Sequence, residues 1–199
     1  MALLASTHYS GAAVSHRTWA GIITIGMFTG MRLGEICNLR RQDIEVIDNI
    51  PCFHVRPHTE DNWSPKTAAG TGIIPIHSHL LNTNNLDLFT DDGEKYLFPD
   101  LTLSRAGERG DNFARAFSKH KKRIGIPEDV TFHSFRHTVS TKLRNLEAHI
   151  RELWIDTILG DEANHKSQGT INYTSGIEVS NLQQVIEALT YPLECIIPF

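Results

Sequence analysis

The segment Thr131-Phe132-His133-Ser134-Phe135-Arg136-His137 combines residue types that handle phosphate. An apolar stripe begins at Phe135 and continues through Val139, Leu143 and Leu146, so the segment reads as the start of a helix. Thr131 or Ser134 would cap it. His133 and Arg136 lie three apart on its first turn and can converge on one point, beside free backbone N–H groups. Such a place suits an anionic oxygen. By itself the pattern is weak, and a surface histidine beside an ordinary arginine is the favoured reading.

Two further blocks flank it in the chain. Upstream stands Phe28-Thr29-Gly30-Met31-Arg32-Leu33-Gly34-Glu35-Ile36. Downstream stands Ile158-Leu159-Gly160, then Tyr173 before Thr174-Ser175-Gly176. In this order the three blocks resemble the catalytic domain of the tyrosine recombinases, or phage-type integrases, from about residue 17 to 192. That family carries one arginine in TGxRxxE, a histidine and a second arginine in HxxR, a lysine on a hairpin between them, and a nucleophilic tyrosine after an LGH-like segment. The resemblance therefore implies Arg32, Lys66, His133, Arg136 and Tyr173 as catalytic residues. Tyr9, Tyr96 and Tyr191 match no block. One departure stands out: LGH reads Leu159-Gly160-Asp161. An ionised Asp161 cannot donate to a phosphate oxygen and would repel it. His165, four residues on, is the candidate to take over.

These residue types match phosphoryl transfer. A tyrosine hydroxyl has a pKa near about 10 and is rarely ionised at neutral pH, so it needs a base or neighbouring cations. Attack on a phosphodiester builds negative charge that guanidinium groups meet with planar, paired donors. The resemblance makes Lys66 the acid for the leaving 5′-oxygen and His133 the base or a phosphate ligand. Two arginines supply the charge, so no divalent metal is required, and a phosphotyrosine that conserves the bond energy removes any need for ATP. The implied reaction is site-specific DNA cleavage and rejoining through a 3′-phosphotyrosyl link. The implied partner is double-stranded DNA, with a monomer in its absence and a tetramer in synapsis. The alternatives are a catalytically impaired DNA-binding remnant, motivated by Asp161, and a type IB topoisomerase.

The elements that must position these groups are mostly helical. Trp19, Ile22, Ile23 and Met27 predict a helix over 17–28, stopped at Thr29-Gly30. Leu33, Ile36 and Leu39 predict a second, with Glu35 expected to orient Arg32 or to neighbour the lysine hairpin, and an ordinary surface acid as the other reading. Ile44, Val46, Phe53 and Val55 alternate with polar residues around an Asp48-Asn49 turn. A third strand, Ile73-Ile74-Pro75-Ile76, follows a Gly70–Gly72 turn, with Lys66 opening the strand before it. Asp111 is placed to cap a helix bearing Phe113 and Phe117. Ile150, Leu153, Trp154 and Ile158 form another stripe, and Leu182, Val185, Ile186 and Leu189 the last. Met31 and Trp154 read as core. The expected fold is mainly α with a small antiparallel β-sheet (α+β). Residues 1–16 read as a linker or disordered start, 17–192 as the catalytic domain and 193–199 as an apolar tail. The family's N-terminal DNA-clamping domain has no counterpart, which suggests an excised or truncated protein.

The formal net charge is −4, from 19 Lys and Arg against 23 Asp and Glu. A uniformly basic surface is excluded; a local basic face is not. Between residues 105 and 123 stand seven bases and two acids, and Lys119, Lys121, Lys122 and Arg123 are the candidate DNA contacts. His77, His79, His133 and His137 invite a zinc reading, but no Glu or Cys completes a ligand set at the right spacing, so no metal site is expected. Three cysteines without a CxxC pair fit a reduced, cytoplasmic compartment. The longest apolar run, 20–28, is too short to span a bilayer.

Overall fold

The computed structural model describes residues 13–82, 89, 93–146, 150–161 and 176–192. Its centre is helix α1 (His16–Thr29), in which every residue from Thr18 to Thr29 is buried. A helix apolar on all sides belongs inside a layer of other elements. Its two polar residues in the last turns are satisfied internally: Thr24 Oγ1 donates to Ala20 O at 2.8 Å and Thr29 Oγ1 to Ile25 O at 2.6 Å. Ser15 caps the start, accepting from the Thr18 N–H. Gly30 ends it with φ +69°. A Cβ there would stand 2.8 Å from Leu159 Cδ2 and 3.2 Å from Val139 Cγ1, so glycine is required both for the turn and for close approach.

Helix α2 (Leu33–Cys37) is shorter than its apolar spacing predicts. Asn38 donates its side-chain amide to Gly34 O at 2.8 Å and closes the helix, leaving Leu39 buried beyond it. Strands β1 (Ile44–Ile47), β2 (Ile50–Val55) and β3 (Gly72–Pro75) form an antiparallel sheet in the order 1-2-3. Asp48 and Asn49, with φ of 51° and 64°, make the two-residue turn that pairs Ile47 with Ile50. Ile44 pairs with buried Phe53, whereas Val46, nearer the turn on an edge strand, is 62% exposed. Lys66 does not open a strand as expected. It is exposed, in the connection between β2 and β3, between short 3₁₀ turns at Thr59–Asp61 and Ala68–Gly70.

After α3 (Ser78–Asn82) come α4 (Asp111–Arg123), α5 (His133–Arg144), α6 (Glu152–Leu159) and α7 (Val179–Glu187). The N-cap of α4 is Gly110, not Asp111; Asp111 occupies the first turn, where its charge complements the helix dipole. Phe113 and Phe117 pack on Trp19 at ring separations of 5.3 and 6.1 Å. α5 packs on α1 and α6 on α5. In α6 the buried face is Ile155, Ile158 and Leu159; Leu153 and Trp154 are half-buried, so the predicted stripe is rotated. Met31 lies in the core. α7 buries Leu182, Val185, Ile186 and the following Leu189 against α6, β3 and β2 of the same chain. Glu187 accepts from the Ser78 N–H and hydroxyl, and Tyr191 donates to Met27 O at 2.7 Å. The architecture is thus mainly helical with one small antiparallel sheet, the α+β class read from the sequence.

α6 ends at Gly160, with φ +60°. A Cβ on Gly160 would meet Gly70 Cα at 2.8 Å and Ala69 O at 2.9 Å, both backbone atoms that cannot swing aside. Gly160→Ala is therefore expected to cost about 2 kcal/mol in urea unfolding, through the strained backbone and the forced separation of two loops. Gly72→Ala, with nothing within 4 Å of the new Cβ, is expected to stay within about 0.5 kcal/mol. Equal midpoints for the two variants would show that the loops do not touch.

Candidate active site

Arg32 is held by the turn that starts α2. Glu35, 5% exposed, accepts from the Arg32 backbone N–H through Oε2 at 2.9 Å and from Arg32 Nη1 through Oε1 at 2.9 Å. One carboxylate thus caps the helix and fixes the guanidinium, as the three-residue spacing predicts. The remaining Nη2 points across the molecule and donates to Gly160 O at 3.3 Å.

Arg136 comes from the first turn of α5 and is 5% exposed. It donates through Nη1 to Gly30 O at 3.2 Å and through Nη2 to Asp161 Oδ1 at 2.6 Å. The same Asp161 oxygen lies 4.0 Å from Arg32 Nη2. Residues more than a hundred positions apart in the chain therefore address one acceptor atom. Gly30 links the two blocks physically: it ends α1 just before Arg32 and lends its carbonyl to Arg136.

His133 is exposed on the same turn, with His137 edge-on to it at 4.8 Å between ring centroids. Partial burial, then the neighbouring His137, Arg136 and Arg32, hold the His133 imidazole below its usual pKa, while Asp161 acts the other way. A neutral ring at physiological pH can accept a proton. The backbone around it is not free as the sequence suggests. The Ser134 and Phe135 N–H groups are spent on Thr131 O and Phe132 O at 3.0 and 3.1 Å, and Ser134 Oγ accepts from Thr131 N instead of capping the helix.

The β2–β3 connection closes the third side. A Cβ built at Gly70 would stand 3.2 Å from Glu35 Oε1, 3.2 Å from Pro65 Cβ and 3.4 Å from Arg32 Nη1. Lys66 follows Pro65 in this connection, with its side chain exposed. A network not visible from local spacing anchors the start of this connection. Buried Arg40 pairs with Glu60 and Asp61; Asp61 also accepts from Lys95 at 2.7 Å and from the Tyr96 hydroxyl. Despite lost hydration, these donors hold the Asp61 carboxyl well below the usual range. Asp43 meets His58 Nε2 and Arg56 Nε, both at 2.9 Å. Its sequence trace is the Thr59-Glu60-Asp61 acid pair, but the basic partner stands twenty residues away.

Tyr173 and His165 lie outside the described residues. On α4, Lys119, Lys122 and Arg123 are exposed. Lys121 is not available for DNA as the charge count suggested. It is 7% exposed and spends its ammonium on Pro127 O, Glu128 O and Val130 O at 3.3, 2.6 and 2.5 Å. Among the described residues no helix is long and apolar enough to cross a membrane, and no group of three or more His, Cys, Asp or Glu could hold a metal ion.

Comparison with known proteins bears on this geometry. The family model described as "Phage integrase family" matches residues 2–174. A tyrosine recombinase of Thermosipho africanus is 26% identical over 122 residues, covering 61% of this chain and 38% of the relative. One from Agathobacter rectalis is 24% identical over 172 residues, covering 84% and 50%. The chain thus spans half or less of the length of these relatives. Among solved structures, the integrase of mycobacterium phage Brujita superposes with a TM-score of 0.58 at 14% identity, over 95% of this chain and 55% of that one, which shows a shared fold. With nearly all of its length matched by that family's model, and its two site arginines meeting at one acceptor, this chain belongs to the phage integrase family.

Proposed function

We propose that this chain is the catalytic part of a site-specific DNA recombinase, which cleaves and rejoins strands of double-stranded DNA through a 3′-phosphotyrosyl intermediate. The observation that carries this reading is the convergence of Arg32 and Arg136 on a single anionic oxygen beside His133. In the proposed step the Tyr173 oxygen attacks the scissile phosphorus and gives its proton to His133. The phosphorus–oxygen bond to the 5′-oxygen breaks, and Lys66 supplies the proton that the leaving oxygen takes up. The guanidiniums of Arg32 and Arg136 bind the two non-bridging oxygens, where charge develops; a well-placed donor of this kind is worth about 3–4 kcal/mol. Rejoining reverses the step with a 5′-hydroxyl as the attacking group. The phosphotyrosyl bond conserves the energy of the phosphodiester, so the cycle consumes no ATP.

The α4 face with Lys119, Lys122 and Arg123 would follow the DNA backbone; Lys121 is assigned to the fold instead. Burial of the α7 stripe within its own chain supports a monomer away from DNA, with a tetramer assembled at synapsis. A cytoplasmic setting agrees with two buried thiols, Cys37 and Cys52, which burial pushes up to about 12 and about 11.

A nicked suicide substrate should trap a covalent protein–DNA adduct with the full chain, and Tyr173→Phe should abolish it; an undiminished adduct in that variant would sink the assignment of the nucleophile. Because partial burial, and then the neighbouring His137, Arg136 and Arg32, hold His133 below the ordinary imidazole value, adduct formation should persist as the pH is lowered through about 6.5 and fall only in more acid solution. A rate already halved at that pH or above would remove His133 as the base. Lys119→Met and Lys122→Met should weaken DNA binding and flatten its salt dependence, with stability within about 0.5 kcal/mol of wild type. Lys121→Met should instead cost about 2 kcal/mol of stability, since three carbonyls lose a charged donor. Calorimetry and binding titrations at several salt concentrations separate the two classes.

A further inference from the structure

We propose that Asp161 is the built-in anion of the arginine pair: a positioning residue that holds Arg32 and Arg136 in register and that a DNA phosphate must displace. This inference rests on the strand-transfer reading above for its biological meaning, but not for its test. The geometry is direct. Asp161 Oδ1 stands 2.6 Å from Arg136 Nη2 and 4.0 Å from Arg32 Nη2, so its carboxylate occupies the space between the two guanidiniums where the non-bridging oxygens of a phosphate would be bound. Arg136 is buried, and among the described residues Asp161 is the one carboxylate within 4.0 Å of it. A buried guanidinium needs a counter-charge. Arg32 already has Glu35, which leaves the charge of Arg136 to Asp161.

The carboxylate is also placed for exchange. The Arg136 side chain is 6% exposed and that of Asp161 41%, so the acid closes the pair from the solvent side. A phosphodiester and a carboxylate each carry one negative charge and each accept from guanidinium forks. Substitution of one for the other keeps the arginines neutralised and requires no core residue to move. Its cost is the lost Arg136–Asp161 bond, together with the repulsion of a displaced acid left beside the phosphate. Asp161 therefore lowers the site's affinity for DNA while keeping the donors aligned.

The test uses the full chain carrying Tyr173→Phe, so that no cleavage is needed, and reads the Kd for a fluorescent duplex at fixed salt. Asp161→Asn keeps the shape without the charge and should bind about tenfold more tightly, the effect of one charge-assisted hydrogen bond no longer opposed. Asp161→His should do the same. Asp161→Glu, which keeps the charge, should remain near the parent. Glu152→Gln is the charge-matched control: Glu152, at the start of α6, pairs with Arg144 at the end of α5 and is exposed, so its removal should change Kd by no more than about twofold. The proposal is overturned if Asp161→Asn binds no more tightly than Glu152→Gln, or if Asp161→Glu tightens binding as much as Asp161→Asn. A purely structural role for Asp161 would weaken binding and lower the melting temperature together, which also overturns it. Failure of the unmutated chain to form an adduct on a nicked substrate would instead count against strand transfer and leave this comparison readable.

Discussion

Two guanidinium groups cannot be brought together in a partly dehydrated pocket unless negative charge is brought with them. That requirement shapes the centre of this protein. Arg32 is 21% exposed at its side chain and Arg136 6%; Arg32 reaches the Gly160 carbonyl and Arg136 the side chain of the next residue, Asp161. Their charges are met by three kinds of acceptor: the Glu35 carboxylate, the carbonyls of Gly30 and Gly160, and the Asp161 carboxylate. Each acceptor also aims a donor. The pair keeps a residual attraction for an oxyanion, and its orientation is set within the chain itself.

The scaffold delivers these acceptors by close packing around two glycines. Gly30 lets the end of α1 lie against Leu159 and Val139, which brings the Arg32 turn to the helix bearing Arg136. Gly160 lets the end of α6 lie on the backbone of residues 69 and 70, which brings the connection bearing Lys66 to the same place. Three separate blocks of the chain meet because neither glycine carries a side chain to hold them apart. The apolar core behind them, with α1 buried from Thr18 onward, gives these contacts a rigid backing.

Charge away from this centre is divided between fold and surface in a way that counting alone misleads. Between residues 105 and 123, Arg109 donates to Cys37 O and Phe98 O and stacks on Tyr96, and Lys121 is consumed by three carbonyls. Only part of that basic run is on offer to a polyanion. Likewise the acids at 60 and 61 are not a solvated patch but the counter-charge of buried Arg40. The long connection between β2 and β3 is thereby fixed at its origin.

Local chemistry alone determined a good deal. The buried helix and its glycine stop, the two-residue hairpin at Asp48-Asn49, the Glu35–Arg32 pair and the α7 stripe all follow from interactions within a few residues, and local rules read such features well. The α6 stripe was rotated and α2 ran short because a half-buried residue or one side-chain amide can decide a boundary that periodicity leaves open. Lys66 left its expected strand because a long-range charge network, not β-propensity, shapes that connection. Asp161 is the clearest case of the division. The sequence named an acid at an unexpected place; only the tertiary structure decided that it faces both arginines at once, because Coulomb attraction depends on distance in space and residues 32, 136 and 161 become neighbours only when the chain folds.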